Sequence, residues 1–228
     1  MAFSRTAAAA AAAGTLIVVI AASSIANRPP APGSAAGADA LPSPMLHGQV
    51  SLEEALAARR SVREFAPAAL TDAEIGQLLW AAQGVTSADG RRTAPSAGGT
   101  YPLELLAVTA SGVHRYLPKT HSLRVVRSGD VRAELAEVAL EQRFVADAPL
   151  VVVVAAVPSR TAARYGARAE RYVALEAGHA TQNLLLQAVA LGLVAVPVGA
   201  FDDAAVAWVT GLDAGEQALY LVPIGRAR

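Results

Sequence analysis

Three arginines and a serine stand close together in the segment Arg59-Arg60-Ser61-Val62-Arg63. Guanidinium groups bind phosphate oxygens through two parallel hydrogen bonds, and a serine hydroxyl can add another bond to the same anion. This composition is typical of an anion-binding segment. A basic run after a helix is also common on solvated surfaces, so the assignment depends on the other motifs of the chain.

A second candidate is the sequence Ala94-Pro95-Ser96-Ala97-Gly98, which is one residue short of the Gly-x-Ser-x-Gly pattern of serine hydrolases. That nucleophile elbow needs an apolar strand directly before the serine and a helix directly after it. Here a polar segment with two arginines precedes the serine, and Tyr101-Pro102 follows. A Ser96-dependent hydrolase therefore stays as a minor alternative, beside a flexible surface loop.

Two further motifs could do chemistry. In Pro197-Val198-Gly199-Ala200 the glycine permits close approach of the backbone to a planar ligand, although an ordinary turn between a strand and a helix has the same composition. Tyr165 follows Arg164, and a positive charge favours the phenolate form of a tyrosine, so the pair could move a proton. Arginine itself stays protonated and cannot be the base. An exposed tyrosine at the start of a helix is the alternative.

The elements that must position these motifs can be predicted from periodicity and capping signals. Ser51 with Glu54 and Thr71 with Glu74 are capping boxes that begin two helices, and Asp202 or Asp203 is expected to cap another. Further helices are predicted over 130–140 and 168–191. Apolar runs predict strands over 105–109, 113–117, 123–127 and 150–157, near residue 195, and over 218–224. The order of elements predicts an α+β fold with a mixed sheet flanked by helices.

Composition narrows the class of protein. The 228 residues carry 19 basic and 19 acidic side chains, which gives no reason to expect a nucleic-acid partner. There is no cysteine, and the four histidines show no ligand spacing, so we predict no metal site. The sequence contains no Gly-x-Gly-x-x-Gly and no phosphate-binding Walker loop, so any NAD(P)H would bind only transiently.

The chain divides into three parts by composition. Residues 1–26 contain an uncharged apolar stretch that predicts a signal peptide or a membrane anchor, and hence an exported or membrane-anchored protein. Residues 27–48 are rich in proline, alanine and glycine, as in a linker. Residues 49–228 form the predicted domain.

Taken together, the motifs resemble those of the nitroreductase superfamily, and within it the SagB-type dehydrogenases, which include the azoline oxidases. The motifs that carry the resemblance are, in chain order, Arg59 to Arg63, Ala94 to Glu104, Arg164 to Gly166, Glu176 to Asn183, Pro197 to Asp203 and Pro223 to Arg226. They extend from about residue 51 to residue 226 and so cover the whole predicted domain.

The resemblance implies a homodimeric, FMN-dependent oxidoreductase that passes hydride between a donor such as NAD(P)H and a small organic or peptide-derived substrate by a ping-pong cycle. It implies that FMN is bound at the dimer interface by Arg59, Arg60, Ser61, Arg63, Pro95, Ser96, Ala97, Pro197, Val198, Gly199, Ala200 and Arg226, with Pro95 to Ala97 coming from the partner subunit. It also implies that Arg164 and Tyr165 take the place of a catalytic Lys-Tyr pair. The arginine puts azoline oxidation itself in doubt. An anchored binding domain that has lost its flavin is the non-enzymatic alternative.

Overall fold

The computed structural model describes residues 37–228, which belong to one compact unit. The predicted signal peptide or anchor lies outside the described residues, and the division of the chain into three parts stays a prediction. Part of the predicted linker packs on the domain. Asp39 and Ala40 pair with the edge of the sheet, and the side chain of Gln77 exchanges two hydrogen bonds with the backbone of Met45, at 2.8 and 3.1 Å.

The centre of the fold is a seven-stranded sheet in which every neighbouring pair of strands is antiparallel. In the order in which they lie across the sheet, the strands are β1 (Asp39–Ala40), β4 (Ser122–Ser128), β3 (Gly112–Leu117), β2 (Leu103–Thr109), β5 (Leu150–Ala156), β7 (Gln217–Gly225) and β6 (Val194–Ala195). The α+β class is confirmed. The sheet was expected to be mixed, but within residues 37–228 the one parallel pairing is an isolated bridge between Ser61 and Ala195.

Within residues 37–228, seven α-helices pack around the sheet: α1 (Leu52–Ala58), α2 (Asp72–Gln83), α3 (Arg132–Val138), α4 (Phe144–Asp147), α5 (Pro158–Tyr165), α6 (Ala169–Ala190) and α7 (Asp203–Thr210). Both predicted capping boxes are present, at Ser51 and Thr71. The short helices α4 and α5 were not predicted. The continuous run of β5 is buried on both faces, and its alternate residues enter two separate cores. One core contains side chains of α2 and α6, and the other contains side chains of α3 and α7.

Helix α6 is the longest helix in the described part of the chain. It packs against α1, α2, α5 and the strands β2, β5 and β7. The sequence shows many apolar positions on this helix, which predicts contact with a second subunit. The neighbours within the chain account for most of that burial, although Leu175 stays half exposed at 51%.

The predicted localisation requires correction. No helix within residues 37–228 is both long enough and apolar enough to cross a bilayer. The apolar stretch on which that prediction was based lies outside the described residues, and we do not propose export or anchoring.

Candidate functional site

The arginine-rich segment is held at one edge of the sheet by backbone pairing. Ser61 forms a bridge with Ala195 of β6, and the Val62 amide donates to the Ala195 carbonyl at 3.1 Å. A few residues later, the Ala66 amide donates to the carbonyl of Arg226 at 2.9 Å. The segment therefore has a fixed backbone and is not a loose continuation of α1.

The charges on this segment have no acidic partner in the described part of the chain. Arg59, Arg60 and Arg63 take part in none of its salt bridges. The Arg60 guanidinium folds back onto two nearby carbonyls, whereas that of Arg63 lies 5.6 Å from the centre of the Phe144 ring. Ser61 is exposed. Unneutralised guanidinium groups beside a free hydroxyl can bind an anion.

A cavity of about 190 Å³ lies directly beside this segment. Its walls combine the end of α1, the second half of α6 and strand β6, and most of them are apolar. The lining residues are Ala58, Arg59, Arg60, Val62, Leu185, Val189, Leu193, Val194 and Ala195. The cavity therefore has one cationic side and an apolar remainder, which suits part of a ligand with a planar apolar ring and an anionic group.

The motifs Pro197 to Ala200 and Pro223 to Arg226 lie near the same edge of the sheet. Val198 exchanges two backbone hydrogen bonds with Leu221 of β7, and Gly199 and Ala200 follow it at the surface. Asp202 then caps α7 by accepting from the Ala205 amide at 2.9 Å, as expected. Arg226, in contrast, already has an acidic partner within the chain.

The Arg226 guanidinium forms a salt bridge of 2.6 Å with Glu74, the same carboxylate that completes the capping box of α2. Of the arginines named for FMN, it is therefore the one whose charge is already neutralised in the described residues. This pairing makes Arg226 a weaker candidate for a phosphate contact than Arg59 or Arg63.

The loop between α2 and β2, residues 84–102, lies along α6, where Asn183 Nδ2 donates to the Thr93 carbonyl at 3.3 Å. Within it, the Ser96 hydroxyl accepts a hydrogen bond from the Tyr101 amide at 2.9 Å, and residues Ala97–Gly99 form a single 3₁₀ turn. No histidine is hydrogen-bonded to Ser96 in the described part of the chain. This geometry lacks the base that a serine nucleophile needs, so it disfavours the hydrolase alternative.

Arg164 and Tyr165 are brought against this loop. They lie at the end of α5, not at the start of a helix, and Arg164 Nη1 donates to the Gly98 carbonyl at 3.3 Å. Gly98 has a φ of 61°, and a Cβ atom placed on it would lie 2.6 Å from the Tyr165 hydroxyl. Glycine is favoured at this position, because the positive φ strains other residues and a Cβ atom would force the side chains of Tyr165 and Arg164 to shift.

A buried charged cluster beneath the loop was not predicted. Glu176 of α6 is only 3% exposed, and its Oε1 atom has no hydrogen-bond partner. Burial raises the pKa of Glu176 to about 7, while a hydrogen bond from Ser96 and the charge of Arg92 act in the opposite direction. Arg92 donates to Gln83 Oε1 at 2.7 Å, and its guanidinium lies 4.7 Å from the centre of the Tyr101 ring. The one sequence signal was a lone glutamate among the small and apolar residues of a long helix.

The two groups of candidate residues are separate within one chain. Glu176 marks the loop end of α6, whereas Leu185 and Val189 line the cavity beside the arginines. The helical rise of 1.5 Å per residue places these positions about 14 and 20 Å from Glu176. A single copy of the described residues therefore does not bring Pro95 to Ala97 next to Arg59 to Arg63.

Comparison with known proteins identifies the class. The model of the nitroreductase family matches residues 56–226. A protein of Methanocaldococcus jannaschii assigned as a nitroreductase is 44% identical over 184 residues, which cover 78% of this chain and 92% of the relative. The chain therefore belongs to the nitroreductase family of oxidoreductases.

Solved structures agree with the fold. A crystal structure from Ralstonia eutropha JMP134, assigned as a nitroreductase, superposes with a TM-score of 0.76 at 32% identity and covers 88% of this chain and 94% of that one. A second, from Anabaena variabilis, has a TM-score of 0.69 at 30% identity and covers 78% of this chain and 38% of that one. The NADPH:FMN oxidoreductase of Vibrio harveyi shares the fold, with a TM-score of 0.58 at 23% identity, and covers 77% of this chain and 68% of that one.

Proposed function

We propose that this protein is an FMN-dependent oxidoreductase of SagB type that acts as a homodimer on a small organic or peptide-derived substrate. The observation that carries the proposal is the arginine segment, whose backbone is fixed by pairing with β6 and whose guanidinium groups form no salt bridge within residues 37–228. Arg59 and Arg60 of this segment line a partly apolar cavity, and Ser61 and Arg63 are exposed next to them. When bound, FMN supplies alternating hydride transfer from a donor such as NAD(P)H and to an acceptor, in a ping-pong cycle.

The residues present suit the flavin in two ways. The guanidinium groups of Arg59 and Arg63 can bind the phosphate or stabilise negative charge on the polar edge of the ring. In the Pro197 to Ala200 motif, the exposed backbone of Gly199 and Ala200 after the buried Val198 can lie against a planar ligand. Arg60 and Arg226 are assigned weaker roles, because their guanidinium groups already have hydrogen-bond acceptors.

The homodimer is proposed because one chain holds the candidate residues in two distant groups. In a dimer, the Pro95-Ser96-Ala97 segment of each subunit would complete the other subunit's site. Exposed apolar side chains are available for such an interface, since Leu52 and Leu56 of α1 are 60% and 51% exposed. Burial of leucine side chains is a common source of stability in subunit association.

We propose that Tyr165 moves a proton to or from the substrate, with Arg164 as its cationic neighbour. Their position against Gly98 supports this role, because it places the phenol beside the loop that a partner's flavin would contact. Arg164 cannot itself take up a proton. Tyr165→Phe is expected to slow the substrate half-reaction by a factor on the order of a hundred, while FMN content and flavin reduction by a small donor stay nearly unchanged.

The first experiment is the absorption spectrum of the purified protein, with release of FMN on denaturation. Arg59→Ala and Arg63→Ala should each weaken FMN binding by about 1.5–3 kcal/mol, as expected for a charge-assisted hydrogen bond. Arg226→Ala should weaken it less. Arg124→Ala is the matched control, because Arg124 is an exposed arginine on β4, outside both groups of candidate residues.

The outcomes separate the alternatives. A yellow protein whose FMN affinity is unchanged in the Arg59→Ala/Arg63→Ala double variant would refute the assignment of these residues. A colourless protein that takes up no added FMN would favour the binding domain that has lost its flavin. Esterase activity lost in Ser96→Ala would favour the hydrolase. A flavin-loaded protein that sediments as a monomer would contradict the shared site.

A further inference from the structure

The turn between α3 and α4 contains two strained residues and no glycine. Leu140 and Glu141 have φ values of 58° and 59°, in the left-handed region that residues with a Cβ atom rarely adopt. Both side chains are exposed, so their burial does not explain the conformation. Backbone strain of this kind persists only where the surrounding structure imposes it, and it is concentrated at functional sites. The contacts of the next residue, Gln142, show what the turn holds in place.

Gln142 joins this turn to the backbone of Ala200. Its side-chain amide uses both hydrogen atoms, since Nε2 donates to the Ala139 carbonyl at 2.7 Å and to the Ala200 carbonyl at 2.9 Å. Two residues after Ala200, the Asp202 amide donates to the Val138 carbonyl at 2.9 Å. The backbone from Ala200 to Asp202 is therefore tied to the end of α3 at both of its ends.

The amides that precede this fixed backbone are free to bind a ligand. Within residues 37–228, the Gly199 and Ala200 amides donate no hydrogen bond, and both residues are exposed. A backbone donor binds a ligand more tightly when it is already held in one conformation, because less ordering then opposes binding. Glycine has wide conformational freedom. The bond that Gln142 donates to the next residue limits this freedom where the ligand would lie.

The same stretch of chain also contacts the arginine segment. Phe144 begins α4, two residues after Gln142, and its ring centre lies 5.6 Å from the Arg63 guanidinium. A guanidinium group over an aromatic ring keeps the N–H groups of its own plane available to an anion. Arg63 forms no salt bridge in the described part of the chain. Gln142 and Phe144 thus contact one residue in each of two separate cofactor motifs.

We propose that Gln142 and Phe144 are positioning residues of the cofactor site: Gln142 fixes the backbone around Ala200, and Phe144 orients the guanidinium group of Arg63. Both contacts stand on the geometry of a single chain, whereas their consequence for a cofactor rests on the proposed function. Neither side chain needs to touch FMN in this role. The arrangement also accounts for the strained turn, because the turn brings Gln142 to the Ala200 carbonyl.

The test is a titration of the flavin-free full chain with FMN, followed by flavin fluorescence. Gln142→Met keeps the length of the side chain and removes both donors, so FMN affinity should fall about tenfold, the equivalent of ordering the backbone of one released residue on binding. Phe144→Leu keeps an apolar side chain and removes the ring, so affinity should fall about two- to fivefold, as expected for an exposed cation–π contact. Leu140→Met is the matched control. It introduces methionine at an exposed position of the same turn and should bind FMN as the parent does.

Two further measurements separate positioning from a general loss of stability. In the flavin-free protein, amide hydrogen exchange in peptides that cover residues 199–203 should rise in Gln142→Met by more than exchange in β5, and should not rise in Leu140→Met. At saturating FMN, the visible circular dichroism of the bound flavin should change in Gln142→Met, because the ring then lies against a differently ordered backbone. A substitution that lowers only the stability of the fold would change neither.

Unchanged FMN affinity in Gln142→Met, or an equal loss in Leu140→Met, would overturn the role of Gln142, and unchanged affinity in Phe144→Leu would overturn that of Phe144. The Arg63→Ala variant separates these failures from a failure of the proposed function. If Arg63→Ala weakens FMN binding and the other two variants do not, only the positioning roles fail. If the parent binds no FMN, the proposed function fails and the cofactor roles with it, while raised exchange at 199–203 in Gln142→Met would still uphold the bond to Ala200.

Discussion

Replacement of Glu176 by glutamine should shift the stability difference between variant and parent in favour of the variant as the pH rises through 7, although the substitution removes an ionisable group. The pKa of Glu176 is about 7 in the folded protein and close to the ordinary 4.5 in the unfolded chain, because burial penalises the carboxylate. Between these values the folded state holds a proton that the unfolded state has released. The free energy of unfolding therefore falls as the pH rises through this range.

The magnitude follows from the same two values. Each tenfold difference in proton affinity is worth about 1.4 kcal/mol, so the parent should lose about 3 kcal/mol between pH 4.5 and pH 8 through this one group. Below pH 4.5 Glu176 is protonated in both the folded and the unfolded state, and the parent keeps its full stability. Above pH 7 Glu176 is ionised in both states, and the loss of stability is complete. Glutamine does not titrate, so the stability difference between variant and parent should change by about 3 kcal/mol in favour of glutamine.

Urea denaturation at half-unit steps of pH, followed by tryptophan fluorescence, measures this difference. Parent and variant can be compared directly only if their free energies of unfolding fall with urea at the same slope, since a changed slope would signal a changed unfolded state. Glu170→Gln should give a stability difference that is the same at every pH. The reasoning is refuted if Glu176→Gln and the parent differ by a constant amount from pH 4.5 to pH 8.

Two further predictions concern packing around the site. Glu216→Gln should destabilise the fold by about 1.5–3 kcal/mol in the same denaturation assay, because Glu216 binds the buried Arg115 through two charge-assisted bonds of 2.6 and 2.8 Å. Glu104 and Asp213, at 3.3 and 3.4 Å from the same guanidinium, remain in the variant and keep part of the compensation. A cost below about 1 kcal/mol would contradict this. Gly98→Ala should cost more than Gly90→Ala, a position with a similar positive φ and open space around it. Tyr165→Phe should recover part of that excess, since the phenol oxygen is the nearest obstacle, and strictly additive effects would show that the contact is unimportant.

The sequence was sufficient for those parts of the fold that depend on local patterns. The capping boxes at Ser51 and Thr71 and the continuous apolar run of β5 are local signals, and the structure agrees with each. Helix α5 was missed because its sequence is short and polar, with only Pro158 at its first position as a start signal. The direction of the strands was also not accessible, because an apolar run buried on both faces is typical of parallel sheets and occurs here in an antiparallel one.

The candidate site was predictable only where the chemistry is concentrated in one segment. Arg59 to Arg63 can be recognised because their guanidinium groups are adjacent in sequence. The pKa of Glu176, in contrast, is raised by burial in the fold and is held down in part by Ser96 and Arg92, which are about eighty residues earlier in the chain. Nothing in the sequence around Glu176 shows that its carboxyl group is buried. The pairing of Arg226 with Glu74 is hidden for the same reason. The residue type determines the charge of a side chain, but the availability of that charge to a ligand depends on contacts that only the folded chain defines. Arg226 is therefore a weaker cofactor candidate in the structure than in the sequence.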